Sequence, residues 1–451
     1  MSRHFWLITA LVALASALPA MAHAADFDVK AATDAYLATV TGIERAKSDA
    51  YFEGGYWLIL WDALASIAIA LLLLFTGASA AMRNYAERLV RGRWTQSVIY
   101  AFLFLLTLTV LSFPLAIYEG FYREHAFGLS NMSLPDWLRD FGIAAAIQLA
   151  LAPLFISAIY GAIRRVPQTW WMWGTAVTAV FFFIAMVLGP VFIAPLFNTY
   201  KEMDAGPVKD SILSIARANG VPAEHVYQFD ASRQSDRVSA NVSGFLGTTR
   251  ISLNDNLLHR GSPAEVKAVM AHEIGHYVLN HGGKGLVYLT LLAAVTLIFA
   301  NWGFGFLHRA FGGVWGVRDI ADPAGFPIIF MLFTLFGLLA TPVQNTIIRE
   351  NEAQADLFGL NAAREPDAFS TAILKLAEYR KLDPTPWEEI VFYDHPSGRS
   401  RISMSMQWKA EHLNDLPAVP LPAAQPQAAA PPPPSEEPVP QGPDPSTPTV
   451  P

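Results

Sequence analysis

Ser262-Pro263-Ala264-Glu265, followed by Ala271-His272-Glu273-Ile274-Gly275-His276, frames a segment in which Val266, Val269, Met270, Ile274, Tyr277 and Val278 recur at helical intervals. The spacing predicts a helix with a serine cap, a proline in its first turn and an acid near its positive end. Two histidines four apart on that helix project from nearly the same face, so both imidazoles can reach one metal ion. Glu273 sits beside them, where it can take a proton from a water activated by zinc. The bland alternative is a buried helix whose histidines merely bond their neighbours. The pattern predicts one Zn2+ per chain and points to metal-assisted hydrolysis of peptide bonds.

Such a site needs a third protein ligand and one position left open for water. The near candidates fail. A third histidine at position 282 with glycine at 279 would suit one known arrangement, but the chain has Gly282 and Leu279. His281 lies five residues beyond His276 and turns off the ligand face if the helix continues. Downstream, Arg349-Glu350-Asn351-Glu352-Ala353-Gln354-Ala355-Asp356 reads as a helix after a long apolar run. Glu352 and Asp356 share a face, so Glu352 can bind the metal while Asp356 accepts the other N–H of a ligand histidine. Glu350 competes with Glu352 for the ligand role, and a solvated charged face is the plain alternative for the whole cluster.

Composition points to a membrane: 53% of residues are hydrophobic, 15% are charged, and mean hydropathy is +0.31. Tyr56 to Ala78, Ser97 to Tyr118, Phe141 to Ile163, Trp170 to Ala194, Gly285 to Leu307 and Phe326 to Ile347 each approach the roughly 20 residues a bilayer core demands. Lipid leaves backbone groups no outside partner, so these runs are helices. The fold class expected is mainly α: a polytopic membrane protein of about six to seven spans enclosing a zinc metalloprotease domain with a small β-hairpin or sheet. The absence of cysteine excludes disulfides and thiolate ligands. A net charge of −7 gives no support for nucleic-acid binding.

The polarity pattern divides the chain as follows. Residues 1–24 read as a signal peptide or a first span, with a basic start at Arg3, an apolar core and Ala22-His23-Ala24 as a cleavage site. Residues 25–195 form a membrane region with four spans, 196–283 the metalloprotease domain, and 284–348 two further spans. Residues 349–412 carry the third-ligand helix and the end of the catalytic domain, and 413–451 form a disordered Pro-rich tail including Pro431 to Pro434. Within 196–283, Val208 to Asn219 reads as a helix, whereas Val238 to Phe245 and Arg250 to Leu253 read as two strands. An unpaired edge of that hairpin could take an extended peptide as an added strand, or the hairpin could be purely structural.

Several blocks, in order, resemble the CAAX prenyl protease 1 family, membrane-embedded zinc metallopeptidases of the gluzincin type. His272 to His276 followed by His281 resembles its zinc helix, and Glu352 to Asp356 its third-ligand block. Ile193-Ala194-Pro195-Leu196-Phe197-Asn198 resembles the segment leaving the span before the catalytic domain. Glu124 to Ser130 resembles a family loop, with Leu129 where an aromatic is usual. Asn241-Val242-Ser243-Gly244, followed by Arg250-Ile251, resembles the substrate-binding edge strand, and His395-Pro396 with Arg401-Ile402 the C-terminal block. The resemblance spans roughly residues 95 to 405 and is far more specific than the zinc pattern alone. It implies a helical chamber closed over the zinc site, with His272, His276 and Glu352 as ligands, Glu273 as base, Asp356 supporting a ligand, and His395 steadying the oxyanion. Arg401 is implied either as structural or as a charge partner near the site.

Topology departs from the resemblance. Arg83, Arg88, Arg91 and Arg93, and then Arg164 and Arg165, fall in loops that the positive-inside rule places in the cytosol. Counting spans from there puts the zinc domain on the outer side, with Arg309 and Arg318 inside; the family's usual arrangement is the reverse. The partners expected are peptide or protein substrates, lipidated or membrane-bound, together with membrane lipid. Three functions follow: a prenyl-protease-like endopeptidase, a quality-control protease for membrane proteins, and, outside proteolysis, a transporter or scaffold with structural zinc. The last fits poorly, because structural zinc sites fill all four positions, often with thiolates.

Overall fold

The computed structural model describes residues 27–244 and 249–416. The signal-peptide or first-span reading of residues 1–24 therefore lies outside the described residues, as does nearly all of the Pro-rich tail. The tail boundary at 413 moves: Leu413–Asp415 forms a 3-10 turn, and Arg364 Nη2 donates to Asp415 at 3.4 Å.

Helices α1 (Val29–Leu37), α2 (Gly42–Phe75), α3 (Ala78–Leu89), α4 (Arg93–Ile117), α5 (Leu134–Arg165) and α6 (Trp170–Leu188) form the N-terminal half. After them come α7 (Pro207–Ala218), α8 (Asp255–Arg260), α9 (Pro263–Val278) and α10 (His281–Trp315). The chain closes with α11 (Phe326–Ala363), α12 (Pro366–Lys375), α13 (Pro386–Phe392) and α14 (Gly398–Glu411). Six helical stretches among the described residues are long and apolar enough to cross a membrane: α2, α4 continued to Ala126, α5, α6 continued to Leu196, α10, and Pro323–Ala363. The fold is mainly helical, as expected. Between 6% and 28% of each span's most apolar window is buried. Most of that apolar surface therefore has no protein against it, which suits lipid and not water.

Several helices outrun the apolar runs that mark them. The expected first span begins at Tyr56, yet α2 starts at Gly42, and the polar turns just before the apolar run have polar partners. Lys381 donates to Glu53 at 2.6 Å, and the Tyr51 hydroxyl donates to Glu124 at 2.5 Å. At its other end Gly77, at φ +72°, makes the left-handed turn into α3. No break occurs at the expected boundary between 348 and 349: α11 runs from membrane span to third-ligand block as one helix.

The sheet has four strands, β1 (Tyr200–Glu202), β2 (Val226–Phe229), β3 (Ala240–Ser243) and β4 (Arg250–Asn254), in the order β1-β2-β4-β3. The two expected strands pair antiparallel, with Ala240 opposite Leu253 and Ser243 opposite Arg250; the first is shorter than the Val238 to Phe245 expected, and Phe245 lies outside the described residues. Sequence reading missed β1 and β2, which at three and four residues are too short for alternation to register. β2 runs parallel to β4, and β3 is an edge strand with no strand on its outer side among the described residues. Ile212 from α7, Val226 and Ile251 from the sheet, and Val266, Met270 and Ile274 from α9 make one core. α9 thus lies with its apolar face on the sheet and its histidines turned away from it.

Arginines gather in the turns at one end of the helical bundle. At the end remote from α9, Arg83 pairs with buried Asp322, Arg318 with Glu87 at 2.6 Å, and Arg164 Nη2 donates to Ser97 at 2.6 Å. These contacts gather the turns after α2, α3, α5 and α10 at one membrane face. Arg88, Arg91, Arg93, Arg165 and Arg309 lie in the same turns and flanks.

Candidate active site

Helix α9 begins as expected. Ser262 Oγ accepts from the Glu265 amide at 3.3 Å and the Ser262 amide donates to Glu265 Oε2 at 2.6 Å, so the cap is reciprocal. Lys375 also donates to Glu265 Oε2, at 2.7 Å, tying the helix start to α12. The helix stops before His281, because Asn280 adopts a left-handed φ of 54°. His281 therefore opens α10 instead of continuing α9, and its Nδ1 lies 2.9 Å from Nδ1 of His276.

Helix α11 lies against α9 at a separation set by glycine. A Cβ on Gly359 would come within 3.0 Å of the His272 amide nitrogen and 3.1 Å of its Cα; one on Gly275 would meet Phe358 Cδ1 at 2.9 Å. Each helix offers the other a surface without a side chain, which brings Glu352 to the histidines. Glu352, Asp356 and Gly359 fall at i, i+4 and i+7, one stripe of α11. Gly359→Ala should force the helices apart, costing about 1–3 kcal/mol and weakening metal retention, read by thermal unfolding and bound-metal assay. Unchanged values for both would show that the close approach is not needed.

Glu352 Oε2 lies 3.3 Å from His272 Nε2, and Oε1 lies 3.4 Å from His276 Nε2. The two Nε2 atoms are 3.1 Å apart. The three residues offer ligand atoms within 4.8 Å of one another. Glu350 instead is exposed, so of the two candidate carboxylates only Glu352 meets both imidazoles. Glu352 Oε2 is buried and accepts no hydrogen bond among the described residues, an uncommon state for a buried carboxylate oxygen and one a metal relieves.

The surroundings orient each ring. Asp356, fully buried, has Oδ1 2.7 Å from His272 Nδ1. Arg401, also buried, donates to both oxygens of Asp356, Nε at 2.8 Å and Nη2 at 2.5 Å. Of the two roles open to Arg401 in the sequence, the geometry shows the charge partner. On the other ring, His281 faces His276 Nδ1 and has its own Nε2 3.4 Å from Gln354 Oε1. Burial opposes a charged His272, but Asp356 and Glu352 outweigh it and raise the ring's pKa to about 10. The pocket thus favours positive charge beside these acids, which a divalent cation supplies in place of the proton. The donor set fits a metal, and so does the buried Glu352 oxygen, which has imidazole nitrogens beside it but no aligned hydrogen bond.

Glu273 faces a cavity of about 250 Å³, shared with His272, His395, Arg401, Tyr379 and residues 238–240. Burial raises the Glu273 pKa above the usual carboxylate range, against the pull of His272 and His276. His395 Nε2 lies 3.3 Å from Glu352 Oε2, and its Nδ1 lies 2.8 Å from Asp394 Oδ1. The cavity wall includes Ala240, the first residue of β3, so Asn241, Val242, Ser243 and Gly244 continue from it along the open sheet edge. Tyr379 and Arg380 were missed in the sequence, since neither belongs to a recognisable spacing; Gly359 left a readable signal in its stripe.

Comparison with known proteins agrees with this geometry. Residues 202–409 match the model of peptidase family M48, and residues 34–199 match that of the CAAX prenyl protease N-terminal region, described as five membrane helices. An uncharacterized metalloprotease of Bacillus subtilis (strain 168), YhfN, is 26% identical over 332 residues, 73% of this chain and 78% of its own. CAAX prenyl protease 1 of Saccharomyces cerevisiae is 28% identical over 318 residues, covering 65% and 68% of the two chains. The crystal structure of S. mikatae Ste24p shares the fold, with a TM-score of 0.71, 21% identity and coverage of 82% of this chain and 90% of that one. Fold, matches and metal-ready site together define a membrane metallopeptidase. The chain carries the peptidase M48 match over residues 202–409 and the CAAX prenyl protease N-terminal match over residues 34–199, and it is similar to CAAX prenyl protease 1 proteins.

Proposed function

We propose that the protein is a zinc-dependent endopeptidase whose single zinc per chain is held by His272, His276 and Glu352. The observation that carries this is the convergence of the Glu352 carboxylate on both imidazoles beside a cavity lined by Glu273. When bound, zinc supplies Lewis acidity, lowering the pKa of water toward neutrality and polarising a carbonyl. Glu273 takes a proton from the attacking water and delivers it to the leaving amine. The Asp356 carboxylate, 2.7 Å from Nδ1 of His272, favours a proton on that nitrogen and leaves Nε2 for the metal, while Arg401 keeps Asp356 ionised. The His395 ring, held by Asp394 at Nδ1, lies beside the carbonyl oxygen and steadies it as it gains charge. The substrate lies as an extra strand on β3 at Asn241 to Gly244, held by its backbone.

The curated relatives named CAAX prenyl protease 1 make lipidated C-terminal peptides the natural first substrates to assay. Arginines gathered at the end remote from α9 favour that end in the cytosol and the catalytic end outside. With that orientation cytosolic prenylated proteins do not meet the site, and quality control of membrane or envelope proteins is the better-fitting role. Reporter fusions after Lys284 and after Trp408 test it: both lie at the catalytic end, and cytosolic reporter activity at both positions reverses the orientation and restores the prenyl-protein reading.

A further inference from the structure

At the arginine-rich membrane face, α4, α5 and α6 leave a groove of about 710 Å³ open to the side. Small residues make it: Gly161 and Ala162 on α5 stand back where larger side chains would fill the space, and a Cβ on Gly161 would meet only a Trp94 ring atom, at 3.8 Å. Val177 continues the apolar wall, and Trp94 and Trp173, both exposed, stand beside it. Tryptophan at such a position marks the boundary between hydrocarbon and headgroups. Arg165 lines the groove at the end of α5, is exposed, and makes no hydrogen bond or ion pair among the described residues. No acidic side chain lines the groove.

An apolar trough between spans, edged by tryptophans and carrying an unpaired guanidinium, matches an acyl chain with a phosphate at one end. Basic pockets between membrane helices select anionic headgroups, because the charge adds to burial of the chain. We infer that this groove binds one anionic glycerophospholipid, its acyl chain against Gly161, Ala162 and Val177 and its phosphate at Arg165. The site is remote from the metal ligands, and the inference does not rest on the proposed peptidase mechanism.

The test is native mass spectrometry of the full-length protein reconstituted in phosphatidylcholine mixed with phosphatidylglycerol. The wild type should retain phosphatidylglycerol over phosphatidylcholine by roughly fivefold, the preference one basic side chain near the surface supplies. Arg165→Gln should bring the ratio near parity, Arg165→Lys should restore it, and Gly161→Leu should reduce retention of both lipids. Thermal midpoints in pure phosphatidylcholine show that the variants are folded. A wild type without headgroup preference, holding annular lipid only, overturns the inference. So does undiminished phosphatidylglycerol retention in both Arg165→Gln and Gly161→Leu.

Discussion

Glu273→Gln is expected to lower peptide hydrolysis by roughly a hundred- to ten-thousand-fold while leaving bound metal and thermal stability unchanged. The amide keeps the shape of the carboxylate but cannot accept a proton from water. Glu273 reaches the cavity that His272 and His395 also line, and it is not among the residues whose ligand atoms converge. Its raised pKa, caused by burial, brings the carboxylate nearer to neutrality, where a base that must later return its proton works best. Peptide cleavage and metal content measured on one preparation separate the roles. Full activity with full metal in this variant refutes Glu273 as the base.

Arg401→Met should be the most damaging single change to stability. Asp356 is fully buried and takes two of its hydrogen bonds from that guanidinium. Removing one partner of a buried ion pair costs about 3–5 kcal/mol, because the remaining charge is left without compensation. Asp356 would then take up a proton and cease to hold the His272 tautomer, so metal affinity should fall as well, by about 10- to 100-fold. A second substitution separates these effects. Asp356→Asn in the Arg401→Met background removes the stranded charge, so it should recover part of the stability but not the metal affinity. Denaturant unfolding and metal competition measure the two. If Arg401→Met alone unfolds at the wild-type midpoint, the pair is not a structural support.

How much of this was legible in the sequence follows from how local each signal is. The metal helix was readable because its cap, apolar stripe and two histidines lie within one segment, Ser262 to Val278. Glu352 was readable as a candidate through its spacing from Asp356. Choosing it over Glu350 required the phase of α11 against α9, which the approach at Gly359 determines. Arg401 sits 45 residues from Asp356 in sequence, and no periodicity connects them, so its partner could not be read directly. The spans were plain from hydropathy, but their ends were not: α2 begins at Gly42, and its polar turns before Tyr56 are helical, with Tyr51 bonded to Glu124 and Glu53 to Lys381. Strands β1 and β2 escaped notice because their partners and not their own short patterns make them strands: β2 pairs in parallel with β4, and β1 lies antiparallel on β2.

The central claim is that one metal ion, held by two histidines of α9 and one glutamate of α11, makes the protein a peptidase. Hydrolysis of a peptide substrate by the purified full-length protein, stripped of metal and titrated with zinc, tests this most directly. The predicted result is no hydrolysis when stripped, then activity rising linearly and levelling at one zinc per chain. Activity that survives complete stripping, or that levels only after a second equivalent, contradicts it.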